Sequence, residues 1–258
     1  MPAKDVARET RAIQSRDPSR PVLVGFGRGL ADPGWRGRGF CAGDMSYYDE
    51  ASVGADILTF DIYPVASGYG RQLDYPARGI ERLKTIARQG HVWAVVETTH
   101  INSPDARVSP AELRSEVLLA IIRGADGLMY FAHEWTGGFR EDGLFRYPEI
   151  VSAVKDMNAL LRRLAPVLNS PTIEGRIAVS GTIASATMLK EHDGALYLFA
   201  GSTEAKAGSL SFSLSGVSNG SAEVIGENRR TPIKDGVFHD SFAGYEVHIY
   251  RIAKGVSP

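Results

Sequence analysis

The sequence predicts an α/β domain followed by an all-β domain, and three observations carry that prediction. Apolar, β-branched runs alternate with helical patterns through the first 168 residues. The run His91-Val92-Trp93-Ala94-Val95-Val96-Glu97 is apolar with scarcely a break, as expected of a strand buried on both faces of a parallel sheet. From Thr172 the period changes from helical to alternating with no helix between strands, which reads as a β-sandwich. The expected domains are therefore 1–168 and 172–258.

Taken in order, residues 5–16 form a polar helix carrying Val6 and Ile13, stopped at Asp17-Pro18 because proline cannot continue helical hydrogen bonding. The strand Val22-Leu23-Val24-Gly25-Phe26 opens into a Gly-rich loop from Arg28 to Gly43 that contains Trp35. Gly25, Gly27 and Gly29 superficially match a dinucleotide fingerprint, but the third glycine is missing and Asp32-Pro33-Gly34 replaces the helix such a site needs. A short helix from Tyr47 to Gly54 precedes a second strand over Ala55 to Pro64, ending in Asp61 and Tyr63. Residues 77–89 have helical spacing and close at Gly90. Ser109-Pro110-Ala111-Glu112 is a capping box with proline at the first helical position, and its helix runs to a cap at Gly124. On that helix Arg114 and Glu116, with Arg123 at its end, are expected to form a solvated face. A fourth strand, Gly127 to Ala132, ends in His133-Glu134-Trp135, and the longest helix, Ile150 to Leu164, is expected to end at Pro166.

The all-β region has strands at 177–179, 186–189, 195–200, 210–214, 222–225 and 245–250, with turns at His192-Asp193-Gly194 and Asp235-Gly236. Its aromatic residues Tyr197, Phe199, Phe212, Phe238 and Phe242 alternate as core residues do, so it reads as a support and not as a separate carbohydrate-binding module.

Composition excludes several functions. With 29 basic and 30 acidic residues there is no electrostatic case for nucleic acid or an anionic membrane. Cys41 is the only cysteine, which rules out an internal disulfide and a cysteine-based zinc cluster. No apolar run approaches the roughly 18 residues of a membrane span. Met1 to Glu9 passes directly into a polar helical pattern with no signal-like segment.

Chemistry is expected at strand ends, because in parallel α/β sheets and barrels the C-terminal edge carries the site. Glu97 is the leading residue there; the competing reading is a carboxylate that ends its strand by accepting backbone or Arg hydrogen bonds. Asp61 and Glu134 stand at adjacent strand ends, where either binding or loop closure suits them. Trp135 and Tyr63 are amphipathic rings at strand ends, suited either to stacking on a ligand or to plugging the mouth of the site. His100 and His133 lie at neighbouring ends, but two histidines without a third ligand do not make a zinc site, and neither metal nor cofactor is expected.

Asp61-Ile62-Tyr63-Pro64, Glu97 after its apolar strand, the run Leu113 to Phe131 and His133-Glu134-Trp135 together resemble the last half of a clan A glycoside hydrolase TIM barrel, most of all the family 42 β-galactosidase type. The tail Asp240 to Arg251 is similar to the closing strand of the β-sandwich that often follows such barrels. The resemblance implies a partial (β/α)8 TIM barrel, its strands corresponding to the fifth to the eighth, followed by an all-β sandwich. It implies a retaining hydrolase of a β-linked glycoside, with Glu97 as nucleophile and Asp61, Tyr63, His100, His133, Glu134 and Trp135 in substrate binding. The acid/base glutamate would belong to an N-terminal barrel half missing from this chain. A partner chain or second copy completing the barrel, and a non-catalytic carbohydrate-binding or scaffolding protein, are the rival expectations.

Overall fold

A computed structural model describes residues 1–32, 34, 44–68, 70–88 and 90–253; Trp35 and Cys41 lie outside the described residues. The chain divides into two compact units, Met1–Val151 and Ser152–Pro258.

The first unit opens with α1 (Ala3–Arg16), which buries Ala3, Ala7 and Thr10. Ile13, expected on its apolar face, is exposed instead, since the buried stripe follows small residues. Then come β1 (Leu23–Phe26), α2 (Met45–Ala51), β2 (Ile57–Phe60), α3 (Tyr75–Ile86), β3 (His91–Glu97), α4 (Pro110–Ile122) and β4 (Gly127–Phe131), and α5 (Pro148–Leu168) begins at the end of this unit, its residues from Ser152 on falling in the second. A single 3-10 turn, Arg28–Leu30, follows β1. The α2 helix is capped by Asp44, whose carboxylate accepts from the Ser46 amide, and α4 by the reciprocal Ser109–Glu112 box. Pro166 lies inside α5, which runs on to Leu168, so it does not end the helix as expected.

The four strands pair in parallel in the order β1-β2-β3-β4, the consecutive order also found in a (β/α)8 barrel. Register is fixed at both edges by side chains. At the N-terminal edge Asp56 accepts the Val22 amide (2.7 Å) and Asp126 accepts the Val92 amide (2.9 Å), the same device one strand pair apart. At the other edge the hydroxyls of Thr98 and Thr99 donate to the carbonyls of Phe131 and His133 (both 2.6 Å). One sheet face buries Leu58, Phe60, Val92 and Ala94 against Ile80, Leu83 and Ile86 of α3. Burial of each such aliphatic side chain stabilises the unit by about 2 kcal/mol. Gly79 is required there because a Cβ would overlap the Phe60 ring. A smaller cluster of Tyr63, Ala66, Val95 and Ile101, with Phe131 against it, lies at the C-terminal strand ends.

The second unit is antiparallel. After α5 come β5 (Ile177–Gly181), β6 (Ser185–His192), β7 (Ala195–Ser202), β8 (Gly208–Leu214), β9 (Gly220–Val224), β10 (Arg229–Ile233), β11 (Val237–Phe242) and β12 (Val247–Ala253). They form a five-stranded sheet, β10-β9-β12-β7-β6, and a three-stranded sheet, β11-β8-β5. Leu196, Leu198 and Tyr250 of the first meet Phe212, Phe238 and Phe242 of the second in one core. Positive φ at Asp193 and Gly194, and at Asp235 and Gly236, gives the tight turns expected there. The final strand begins at Val247, not Tyr245, which takes φ 57 in the preceding turn. Sequence reading missed β10 and β11 as strands. Both are edge strands, where the arginines and Pro232 of Arg229–Ile233 are tolerated.

Candidate active site

The C-terminal ends of β2, β3 and β4 gather the expected site residues into three groups. The first is Glu97 itself. The last residue of β3 is fully buried, at 0% exposure, and both its carboxyl oxygens are engaged: Oε1 accepts the Val65 amide at 2.7 Å and Oε2 the Ala66 amide at 2.8 Å. The carboxyl of Glu116, from the middle of α4, is within hydrogen-bonding reach. Burial raises the pKa of Glu97 against the downward pull of the two amides, and burial together with the neighbouring Glu97 charge raises that of Glu116 well above the ordinary range.

Glu116 is not on a solvated face: its exposure is 0%. The signal for this was present in the sequence, since Leu113 and the run Val117 to Ile122 make α4 apolar on every side, and a helix apolar all round is buried. Arg123 does reach the surface, where it pairs with Glu81 at 2.7 Å.

The second group is aromatic and open. Phe131, the register partner of Glu97, has the Tyr63 ring at 5.1 Å and stacks on Trp135 at 5.9 Å and 21°. His133 sets its ring edge-on against Phe131, Trp135 and Phe139, and Trp135 and Phe139 lie 5.3 Å apart. Trp135 is 45% exposed and Phe139 56%, whereas Tyr63 is buried. Phe131 and Phe139 were not singled out in the sequence.

The third group surrounds Tyr147. Its hydroxyl donates to Glu134 at 2.7 Å, the Arg107 guanidinium lies 4.2 Å from its ring centroid, and the His100 ring is edge-on at 5.6 Å. Glu134 is buried, with Arg146 3.5 Å away, and its backbone pairs with Arg140. Here the carboxylate closes the loop after β4. Gly143 is fitted to that closure, since a Cβ would stand 2.7 Å from the Glu134 side chain. Asp61, just beyond β2, is half-buried and donates its amide to the Phe26 carbonyl at 3.2 Å.

Among the described residues no three His, Cys, Asp or Glu side chains converge as a metal site, and no helix is long and apolar enough to cross a membrane.

No protein-family model and no curated protein sequence matches the chain. Solved structures do. An α-amylase from Geobacillus thermoleovorans, solved with acarbose, superposes with a TM-score of 0.60 at 14% identity, over 99% of this chain and 58% of that one. A maltogenic α-amylase from Thermotoga neapolitana gives 0.55 at 12% identity, over 96% and 58%. A family 27 β-L-arabinopyranosidase from Geobacillus stearothermophilus gives 0.55 at 11%, over 98% and 55%. The chain thus spans little more than half the length of these enzymes. At such identities the likeness is one of fold alone, a partial (β/α)8 barrel followed by a β domain, in the part that this chain spans.

Proposed function

We propose that this chain is the sugar-binding, C-terminal half of a glycoside-hydrolase (β/α)8 barrel with its following β-sandwich, and that the aromatic face of Phe131, His133, Trp135 and Phe139 takes the carbohydrate. The observation that carries this reading is the exposure of Trp135 and Phe139 side by side at a strand end, on a fold shared with glycosidases. Rings of this kind stack on the apolar face of a pyranose, and His133 beside them supplies a polar group for sugar hydroxyls. Asp61, Tyr63, His100 and Glu134 then support or border that face.

In the completed barrel the activity is retaining hydrolysis of a β-linked glycoside, as in the family 42 type, with Glu97 attacking the anomeric carbon. The acid/base carboxyl comes from four βα units outside this chain. Glu116 does not fill that role, since it stands in the middle of α4 and not at the C-terminal end of a strand. A second reading, favoured by the complete burial of Glu97, is a half barrel that binds carbohydrate without cleaving it.

One titration separates these readings. Tryptophan fluorescence of the protein against β-linked oligosaccharides is expected to saturate, and Trp135→Ala to weaken binding about tenfold or more. No binding by the unaltered protein overturns the proposal. In a barrel completed with the missing βα units, hydrolysis that disappears in Glu97→Gln while binding persists identifies the hydrolase; binding with no hydrolysis by that completed barrel identifies the second reading.

A further inference from the structure

Glu97 and Glu116 form a carboxyl pair whose chemistry is incomplete as two anions. Both are at 0% exposure. The oxygens of Glu97 are turned to the amides of Val65 and Ala66, so this side chain presents acceptors. Among the described residues neither oxygen of Glu116 has a partner of good hydrogen-bond geometry, and the Glu97 backbone amide is the least of the influences on its carboxyl. A charged Glu116 would therefore be a desolvated anion with two orphan oxygens beside another anion, an arrangement that burial penalises heavily. One proton removes the conflict. Carried by Glu116 and donated to Glu97, it makes a charge-assisted O–H···O bond and leaves Glu97 ionised towards its two amides.

We propose that Glu116 is a positioning residue: it holds a proton that it donates to Glu97, and the bridged pair latches the Val65–Ala66 segment and the adjoining Tyr63 under the aromatic face. The segment also packs through Tyr63 and Ala66 in the cluster with Val95 and Ile101. Ser67 donates its amide to the Tyr63 carbonyl at 2.9 Å and Arg71 its amide to the Pro64 carbonyl at 3.3 Å, while the Tyr63 ring rests on Phe131. Loss of the bridging proton to solvent leaves two carboxylates in contact, and their repulsion releases the latch; nothing is oxidised or reduced. The directions of titration agree, because burial and the Glu97 charge raise Glu116 most, whereas Glu97 is held back by the amides it accepts. Glu112, one turn earlier on α4, is the other charge bearing on the pair. Burial raises its carboxyl, but Arg71 and Ser109 outweigh that and hold it low.

The latch rests on the sugar-binding reading only in its consequence for that face, and its test is independent of sugar. Hydrogen exchange at the Val65 and Ala66 amides, followed by NMR across pH in the full chain, reads the latch directly. The infrared carbonyl stretch of a protonated carboxyl reads the proton. The unaltered protein should show that band at neutral pH, and Glu116→Gln should lack it. On raising the pH, protection at Val65 and Ala66 should fall about tenfold beyond the intrinsic base-catalysed trend. The Val92 amide, held by Asp126, should follow the trend alone. Glu116→Gln, whose amide can donate to Glu97 with no proton to lose, should keep both amides protected throughout, and Glu116→Ala should lose protection at every pH. Absence of the infrared band in the unaltered protein, or a pH-dependent loss in Glu116→Gln equal to that of the unaltered protein, overturns the proposal. If neither variant folds, the band and the exchange profile of the unaltered protein decide. Failure to bind any sugar, with the latch intact, counts against the proposed function alone.

Discussion

The two units each hold a cluster of charge, fully buried in the first and partly exposed in the second, and they solve its electrostatics in opposite ways. In the second unit Arg229 meets Glu227 and Asp240, each at 2.8 Å, the Tyr250 hydroxyl donates to Asp240 at 2.8 Å, and His248 lies 2.5 Å from Glu227 and 3.2 Å from the Ser241 carbonyl. Burial lowers the Arg229 pKa, but Asp240 and Glu227 outweigh that and raise it; Tyr250 is pushed far up by burial and by Asp240. Every carboxylate in this network meets a cation. The first unit buries Glu97 and Glu116 with amide donors and each other for company, so a proton takes the place of the cation. A compensated network can tie strands together at any ordinary pH, while an uncompensated pair ties them only as long as it keeps its proton.

The comparison breaks most easily at Asp240. It stands on β11 and accepts from groups on β10 and β12, so it joins the two sheets of the second unit. Asp240→Ala leaves the fully buried Tyr250 hydroxyl and the Arg229 guanidinium without that acceptor, and is expected to cost about 3 kcal/mol in urea unfolding. Asp240→Asn, which keeps an acceptor for Tyr250, should cost about 1 kcal/mol. Equal, small losses for both would mean that the network adds no stability beyond its packing.

Next in size is the pH dependence of the first unit. A carboxyl whose folded pKa is raised binds its proton more tightly when folded. Its contribution is therefore full below the ordinary value of 4.5 and is lost as pH rises through the raised one. Thermal scans from about pH 5 to about pH 8 should show stability falling by about 1 kcal/mol or more, and Glu116→Gln should flatten the slope. Asp240 variants should leave that slope unchanged, because the Asp240 network shares no hydrogen-bond partner with Glu97 or Glu116. A slope that survives in Glu116→Gln would assign it to some other group.

The elements that were legible in the sequence are those whose local chemistry suffices to specify them. Ser109 and Glu112 cap α4 with no help from tertiary contacts, the β3 run is apolar because both its faces are covered, and Asp193-Gly194 makes its turn by backbone conformation. What escaped was decided at a distance. The edge strand Arg229–Ile233 carries two arginines and a proline because an edge tolerates them, and one of those arginines is held by Asp240 eleven residues on. Trp135 and Tyr63 stood out at strand ends, but the face they belong to is assembled through Phe131 and Phe139, which read as ordinary strand and loop residues. Glu116 was misread for the opposite reason: its charge suggested solvent, whereas its neighbours on α4 fixed its burial.

The smallest expected effect tests whether position or distance governs these charges. Arg123 and Glu81 approach to 2.7 Å, closer than either partner of Arg229, and the two arginines are about equally exposed, but the Glu81 side chain is 54% exposed where that of Asp240 is 12%. Water already solvates both ions, so the pair gains little Coulomb energy and must hold two long side chains in one arrangement. Arg123→Ala should therefore change stability by about 0.5 kcal/mol or less, in urea unfolding at low and at high salt alike. A loss as large as that of Asp240→Ala would place the controlling variable in ion-pair geometry, and the contrast between the two clusters would then owe nothing to their desolvation.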